Sequence, residues 1–372
     1  MEEAHRAALA CLPQMNSMAL PSLVQLAGGA RVLWEILKAG GSRASSLVGA
    51  EKAATWSERC RRTDPFRVMA GLKERGIAVI TPEDSTFPQL LRSIYDPPAL
   101  LFMMGQKPPP DAPYVAVVGA RKASSYGRWA AESIGEELAG RGVVVVSGAA
   151  YGVDGYAHQG CLKAGGFTVA VLGCGIDRAY PLEHAGLLRR IAASGCVLSE
   201  YPPGESPLPW RFPHRNRIIA GLSHAVVVVE ASQKSGALIT ADMALEEGRE
   251  VMAVPGPIGS ALSLGANRLI QKGAKLVMEV EDICEELPFA CMPRQGHGGG
   301  EKSIAVAGME PLESLCIDVL QGGPRGLDAL AACAGVPPGE ILACLTSMIL
   351  RGWVAEEAGG RFRLLLNPLL RG

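Results

Sequence analysis

Six short stretches of small and polar residues in this chain each follow an apolar run, and each offers groups that hold anions. They are Gly119-Ala120-Arg121-Lys122-Ala123-Ser124, Ser147-Gly148-Ala149-Ala150-Tyr151-Gly152-Val153-Asp154 and Gly173-Cys174-Gly175-Ile176-Asp177. Ser199-Glu200, Glu230 with Ser235-Gly236-Ala237-Leu238-Ile239-Thr240, and Pro255-Gly256 complete the set. Small residues leave backbone N–H groups reachable, and two of these stretches run into helix starts, where free N–H groups and the helix dipole favour phosphate. A seventh stretch, Phe212-Pro213-His214-Arg215-Asn216-Arg217-Ile218-Ile219-Ala220-Gly221-Leu222, adds Arg211 just before it and two arginines within. Pro213 suits the first turn of a helix, and guanidinium forks suit phosphate oxygens. Arg215 and Arg217 stand about 200° apart on a helix of 3.6 residues per turn. The spacing therefore directs Arg211 and Arg215 toward a ligand and Arg217 toward a carboxylate brace such as Glu230, with Glu200 as the other strand-end acid. The chemistry implied is the holding of phosphates.

Other chemistries find less support. Gly173-x-Gly175 has Arg178 where a dinucleotide fingerprint needs its third glycine, and Pro181 delays the helix. No G-x-x-x-x-G-K-[ST] occurs, and no His/Asp/Glu spacing suggests a metal, so no cofactor and no metal are expected. His158, among apolar residues of a helix, reads as a hydrogen-bonded core histidine ahead of a base. The ten cysteines form no C-x-x-C pair and read as free thiols in a reducing compartment. The formal net charge of −1 provides no global field for nucleic acid, so any anion site must be local. Residues 1–80 are mildly basic, with 11 Lys/Arg against 7 Asp/Glu. The acidic start Met1-Glu2-Glu3 is unlike a signal peptide, and no run of about 18 apolar residues exists. A cytoplasmic protein without a membrane span is expected.

Compact apolar strands at 114–118, 143–146, 168–172, 196–198, 225–229, 251–254 and 275–278 must place these loops. They alternate with helices at 126–140, 152–164, 182–193, 213–221, 237–247 and 265–272. That alternation predicts an α/β fold, an extended Rossmann-like doubly wound parallel sheet over 77–287, with its ligands outside the carboxyl ends of the strands. A short strand at 77–80 opens it, and 81–105 reads as a proline-punctuated connector. Residues 1–76 predict a small helical (SAM or helix-hairpin-helix-like) domain, with helices at 7–11, 20–27, 32–38, 44–47 and 65–75. Its first break, Leu12-Pro13-Gln14-Met15-Asn16, lacks the glycines of a DNA-touching hairpin, which leaves packing or partner docking at least equal to DNA contact. Residues 288–305 read as a flexible linker. Residues 306–372 read as a winged helix, with helices at 312–320, 327–334 and 339–351 and strands at 353–357 and 361–365. The third of those helices carries one basic residue, Arg351, which favours protein contact over duplex DNA.

Residues about 80–285 resemble the DNA-processing protein A (DprA/Smf) family. The resemblance is carried by Gly119-Ala120-Arg121 with Tyr126-Gly127, by Ser147 to Asp154 with Ala157-His158, and by Ala170 to Asp177 with Tyr180-Pro181. Ser199-Glu200, Phe212 to Ser223, Ser235 to Thr240, Pro255-Gly256, Gly265 to Ile270 and Gly273-Ala274 follow in order. The resemblance implies a non-catalytic single-stranded DNA binder of natural transformation and recombination, competence included, that dimerises through its Rossmann-like domain and loads RecA recombinase. Arg121, Ser147, Gly148, Arg211, Phe212, Arg215, Asn216, Ser235, Gly236 and Thr240 are the expected DNA contacts; Phe212 is equally a core residue. Two departures stand out. Leu182-Glu183-His184 replaces the family's usual asparagine near the third position after Tyr180-Pro181, and the head lacks a glycine-rich hairpin. Two alternatives stay open. One is a nucleotide-processing enzyme of the phosphoribohydrolase type, using Ser235-Gly236 and Thr240 with Glu246 or Glu247. The other is a scaffold whose winged helix alone meets DNA.

Overall fold

The computed structural model describes residues 1–288, 311–321, 325–351, 353–357 and 360–364. The chain divides into two compact units, Met1–Gln295 and Gly296–Gly372. The first opens with six helices: α1 (Glu2–Ala10), α2 (Leu20–Ala27), α3 (Ala30–Ala39), α4 (Gly41–Val48), α5 (Ala50–Arg62) and α6 (Pro65–Glu74). The sequence reading missed α5. Its apolar positions Ala53, Trp56 and Cys60 keep helical spacing, but they are diluted by eight charged or hydroxyl residues. The elements that follow are β1 (Ile77–Ile80), α7 (Gln89–Arg92), β2 (Leu101–Gly105), β3 (Tyr114–Val118), α8 (Ser125–Gly140) and β4 (Val144–Ser147). Then come α9 (Val153–Lys163), β5 (Thr168–Leu172), α10 (Ala185–Ser194), β6 (Cys196–Ser199), α11 (Arg211–Leu222) and β7 (Ala225–Val228). The unit closes with α12 (Gly236–Glu246), β8 (Glu250–Ala253), α13 (Leu264–Gln271), β9 (Lys275–Leu276) and α14 (Val280–Cys284).

These strands form one nine-stranded sheet in the order β1-β2-β6-β5-β4-β3-β7-β8-β9. The seven strands from β6 to β9 run parallel, whereas β2 is antiparallel to both β6 and β1. The connector at 81–105 thus contains a helix and a strand that its prolines concealed. Val-rich parallel strands form where both faces are covered, and side chains alternate between the two faces. On β3, Ala116 and Val118 join the core beneath α11 and α12, while Val115 and Val117 join that beneath α8 and α9. The head shares a third core with the sheet, in which Leu33, Trp34 and Leu37 belong with Ala170, Leu172 and Val197. The chain lays down β3 to β6 in one direction, then returns through α11 to place β7 beside β3. The carboxyl ends of β3 and β7 therefore flank the topological switch point, where such sheets hold ligands.

The second unit contains α15 (Pro311–Gln321), α16 (Leu327–Ala334) and α17 (Pro338–Leu350) with a three-stranded sheet, order β10-β12-β11, made of β10 (Arg325–Gly326), β11 (Val354–Glu357) and β12 (Arg361–Leu364). Three helices followed by a hairpin match the expected winged helix. The expected linker lies, from residue 289 onward, outside the described residues, as do 306–310 and 365–372.

The tightest joint in the sheet domain is the crossing of α8 and α9. A Cβ at Gly135 would strike the carbonyl of Ala157, and one at Gly160 that of Glu132. Neither obstacle is the end of a flexible side chain, so Gly160→Ala must push the helices apart. Overpacking of this kind costs about 1–3 kcal/mol. The variant should unfold at a lower urea midpoint than wild type; an unchanged midpoint would show that the helices separate freely.

Candidate nucleic-acid interface

The centre of the carboxyl edge is a buried guanidinium. Arg215 of α11 is 5% exposed and donates through Nη1 to the carbonyl of Gly148 at 2.8 Å and to that of Val171. It also donates from Nε to Asn216 Oδ1 at 3.3 Å. A Cβ at Gly148 would collide with this guanidinium, which explains why the loop after β4 carries glycine there. Asp154, also buried, accepts the N–H groups of Gly148 at 3.2 Å and Ala150 at 3.3 Å. Burial lowers the Arg215 guanidinium to about 10 and raises the Asp154 carboxyl, each opposed by the other's charge. Between them they fix the loop after β4, including Ala149 in the left-handed region at φ 51°.

Several expected contacts are corrected by this geometry. Arg215 does not face a ligand, because its donors point inward at carbonyls. Arg211, 7% exposed, donates to Glu205 Oε2 at 2.6 Å and to the Ser206 carbonyl at 2.8 Å, and lies over the Tyr201 ring. Ser147 spends its hydroxyl on the Val117 carbonyl at 2.7 Å, and Thr240 is buried. Arg217 is a brace, but to different acids from the one expected. It donates to Asp96 Oδ2 at 3.0 Å and Glu200 Oε1 at 2.7 Å; the hydrogen bond from His214, and then the Arg217 charge, hold the Asp96 carboxyl below its usual range.

Glu230 instead fills the switch point. Its Oε2 accepts the Ser124 N–H at 2.9 Å, its Oε1 accepts the Ser124 hydroxyl at 2.5 Å, and a Cβ at Gly127 would strike it. The protein's own carboxylates thus sit at the starts of α8 and α9, where an anion gains most from the helix dipole. Three other loops are closed similarly. Gly175 donates to the Glu205 carbonyl, Ser199 Oγ to that of Cys174, and the Asn267 amide bridges both backbone groups of Gly256.

An outer rim remains open. Arg121, Lys122 and Lys234 are exposed, and among the described residues none has a carboxylate partner. The start of α12 carries Ser235 as its cap, accepting Ala237 N–H at 3.3 Å, and leaves Gly236 exposed beside Asn216, whose amide reaches the Gly236 carbonyl at 3.4 Å. Arg121 lies 5.5 Å above the half-buried Phe212 ring, and Phe212 lies 5.0 Å from Tyr180. Tyr151 packs edge-on against His184 at 5.4 Å and bonds to Glu183. This row of exposed rings eluded the sequence reading because it draws on three separate loops. Tyr151 falls four residues after β4 ends, but Tyr180 and Phe212 lie eight and thirteen residues past the ends of β5 and β6, too far for strand-end position to mark them.

Other expectations resolve plainly. His158 is fully buried with its Nδ1 2.7 Å from Thr168 Oγ1. Glu246 ends α12 and Glu247 caps it, about 17–18 Å along the axis from Ser235 at 1.5 Å per residue, and Glu247 accepts the Tyr95 N–H at 3.0 Å. Among the described residues no group of three His, Cys, Asp or Glu could hold a metal, and no single helix is long and apolar enough to cross a membrane. On α17, Leu342, Ile349 and Leu350 are exposed, and Arg351 at its end pairs with Glu313 at 3.3 Å.

Fold and site together define an α/β protein of the Rossmann-like class whose carboxyl edge carries open cations beside stacked rings. Residues 78–288 match the family model described as DNA recombination-mediator protein A, and the chain belongs to that family. The DNA processing protein DprA of Bacillus subtilis is 44% identical over 223 residues, 60% of this chain and 75% of its own. Protein Smf of Escherichia coli is 41% identical over 298 residues, 77% of each. The X-ray structure of DNA processing protein A from Streptococcus pneumoniae superposes with a TM-score of 0.66 at 36% identity, covering 77% of this chain and 98% of that one. The structure of its Helicobacter pylori counterpart, described for its single-stranded DNA binding mode, gives 0.51 at 30% identity, covering 56% and 93%.

Burial lowers the His158 pKa to about 3 from 6.5. Between those values the unfolded chain takes up a proton that the folded chain excludes. The stabilisation is therefore complete above pH 6.5 and declines as pH falls toward 3, by up to about 1.4 kcal/mol per pH unit for one proton. His158→Gln should flatten the urea-stability profile between pH 7 and pH 4; an unaltered slope would assign the acid sensitivity elsewhere.

Proposed function

We propose that this protein binds single-stranded DNA along the open rim of the sheet, with phosphates on Arg121, Lys122, Lys234 and the start of α12 at Ser235-Gly236, and bases against Phe212 and Tyr180. The stacking of Arg121 on Phe212 and of Phe212 on Tyr180 carries this reading. It sets a cation for the backbone beside rings for the bases, the pairing that single strands need and a duplex cannot use. Family membership and the described binding mode of the Helicobacter pylori relative support it. Gly148, Arg211, Arg215 and Asn216 act behind the rim as its support. In the same reading the protein works in the cytoplasm as a homodimer, by binding rather than catalysis, and passes the strand to RecA recombinase during transformation and recombination. The apolar outer face of α17, with its single engaged arginine, supports a protein-contact role for the winged helix.

Three open cations imply that log K falls with log salt at a slope of about −2, from roughly −0.7 per phosphate on single strands. Arg121→Ala should make the slope shallower by about 0.7. Tyr180→Ala should weaken binding by about 1–3 kcal/mol, the usual worth of one stacked base, with the slope kept. Fluorescence anisotropy across a salt series measures both; salt-independent binding, or a slope untouched by Arg121→Ala, would rule out phosphate contact at this rim.

A further inference from the structure

The head module carries an exposed charged face along α5, in which Lys52 Nζ also lies 5.7 Å from the centre of the Trp56 ring. Lys52, Thr55, Arg59 and Arg62 recur three or four residues apart on α5 and fall within about 80° of one another, and all four are exposed. Ala53, Trp56, Ser57 and Cys60 are buried on the inner side. Arg61 lies off the stripe and has a structural task, donating to the carbonyls of Lys38 and Ala39 where α3 ends. Arg59 and Arg62 suit the last turn of a helix, but Lys52 stands in the first turn, where the dipole disfavours a cation. The helix's own electrostatics therefore do not account for the stripe. Among the described residues Arg62 pairs only with exposed Glu58, at 2.9 Å, an interaction of little worth that an incoming phosphate can displace.

The stripe also connects physically to the rim. Trp56 Nε1 donates to the Pro13 carbonyl at 2.8 Å, which ties α5 to the loop after α1. That loop packs on the residues leading into Phe212, since Met15 and Ser17 line a small cavity together with Tyr201, Pro202, Glu205 and Arg211. Burial pushes the Cys11 thiol up to about 11, with smaller opposed influences from the charges of Glu205 and Arg59. The intervening acid, Glu205, is already met by Arg211 at 2.6 Å. On the same border Asp177 binds the Gly204 N–H and is paired with Arg75, and Arg178 is exposed.

We propose that Lys52, Arg59 and Arg62 of α5 form a second contact for the phosphate backbone of the same single strand, engaged only by strands long enough to pass from Phe212 and Tyr180 onto the head. This rests on the rim being the primary seat. The full-length protein is titrated with fluorescein-labelled oligodeoxythymidines of about 6 and about 25 nucleotides, bracketing the short site sizes of single-strand grooves. In the variant K52E/R59E/R62E the long strand should lose at least tenfold in affinity and about 2 units of salt slope, three contacts at roughly 0.7 each. The short strand should bind as before. K52Q/R59Q/R62Q should lose less, in the same pattern, and wild-type thermal unfolding of both variants shows that the fold is kept. Wild-type affinity for the long strand, or equal losses at both lengths, would overturn the proposal. If wild type fails to bind the short strand and Arg121→Ala is silent, the rim itself is not the seat, and the head contact falls with it.

Discussion

The buried guanidinium of Arg215 is the constraint on which the carboxyl edge depends. A charge withdrawn from water needs hydrogen-bonding partners, and removing those partners costs far more than the pairing yields. Here two carbonyls at the ends of β4 and β5 supply the partners, with the Asp154 charge nearby. The arrangement specifies several other residues. Gly148 must lack a side chain, Asp154 must hold the Gly148 and Ala150 amides, and α11 must enter at a fixed height above the sheet. Phe212, three residues before Arg215, is thereby placed against Gly173 and Tyr180. Arg217, two residues after it, fastens the other side of α11 to Asp96 and Glu200. One helix thus carries both the anchors and the ring that the open rim uses.

Most of the fold was legible because the central strands are buried on both faces and so read as uninterrupted apolar runs between helical segments. The elements that escaped had mixed signals. β2 follows Pro97-Pro98 and pairs antiparallel, as an addition to the repeating pattern, while α5 shows three apolar residues among charges. The site was legible at the level of loops and not of atoms. Sequence identifies Glu230 and Asp154 as polar groups near strand ends and Arg211 and Arg215 as cations at a helix start, but it cannot tell whether each turns outward to a ligand or inward to a backbone group. All four turn inward. Arg121, whose loop meets Glu230 through Ser124, turns outward.

The electrostatic design is correspondingly local. With a net charge of −1 the molecule has no long-range attraction for a polyanion. Four of the acids near the rim are held by internal partners, while Glu183 stays exposed beside Tyr151. Glu205 is engaged by Arg211, Glu200 and Asp96 by Arg217, and Glu230 by the Ser124 loop. Of the rim cations, Arg121 lies over the Phe212 ring, where a guanidinium gains from the ring face as well as from charge.

Glu230 and Asp154 have a topological consequence as well as an electrostatic one. By stoppering the two deepest anion cradles, they leave a ledge in place of a tunnel. A polymer laid on a ledge is gripped from the side at any point along its length. It needs no free end to enter, and each of its ends can be taken up by another molecule while the middle is still held.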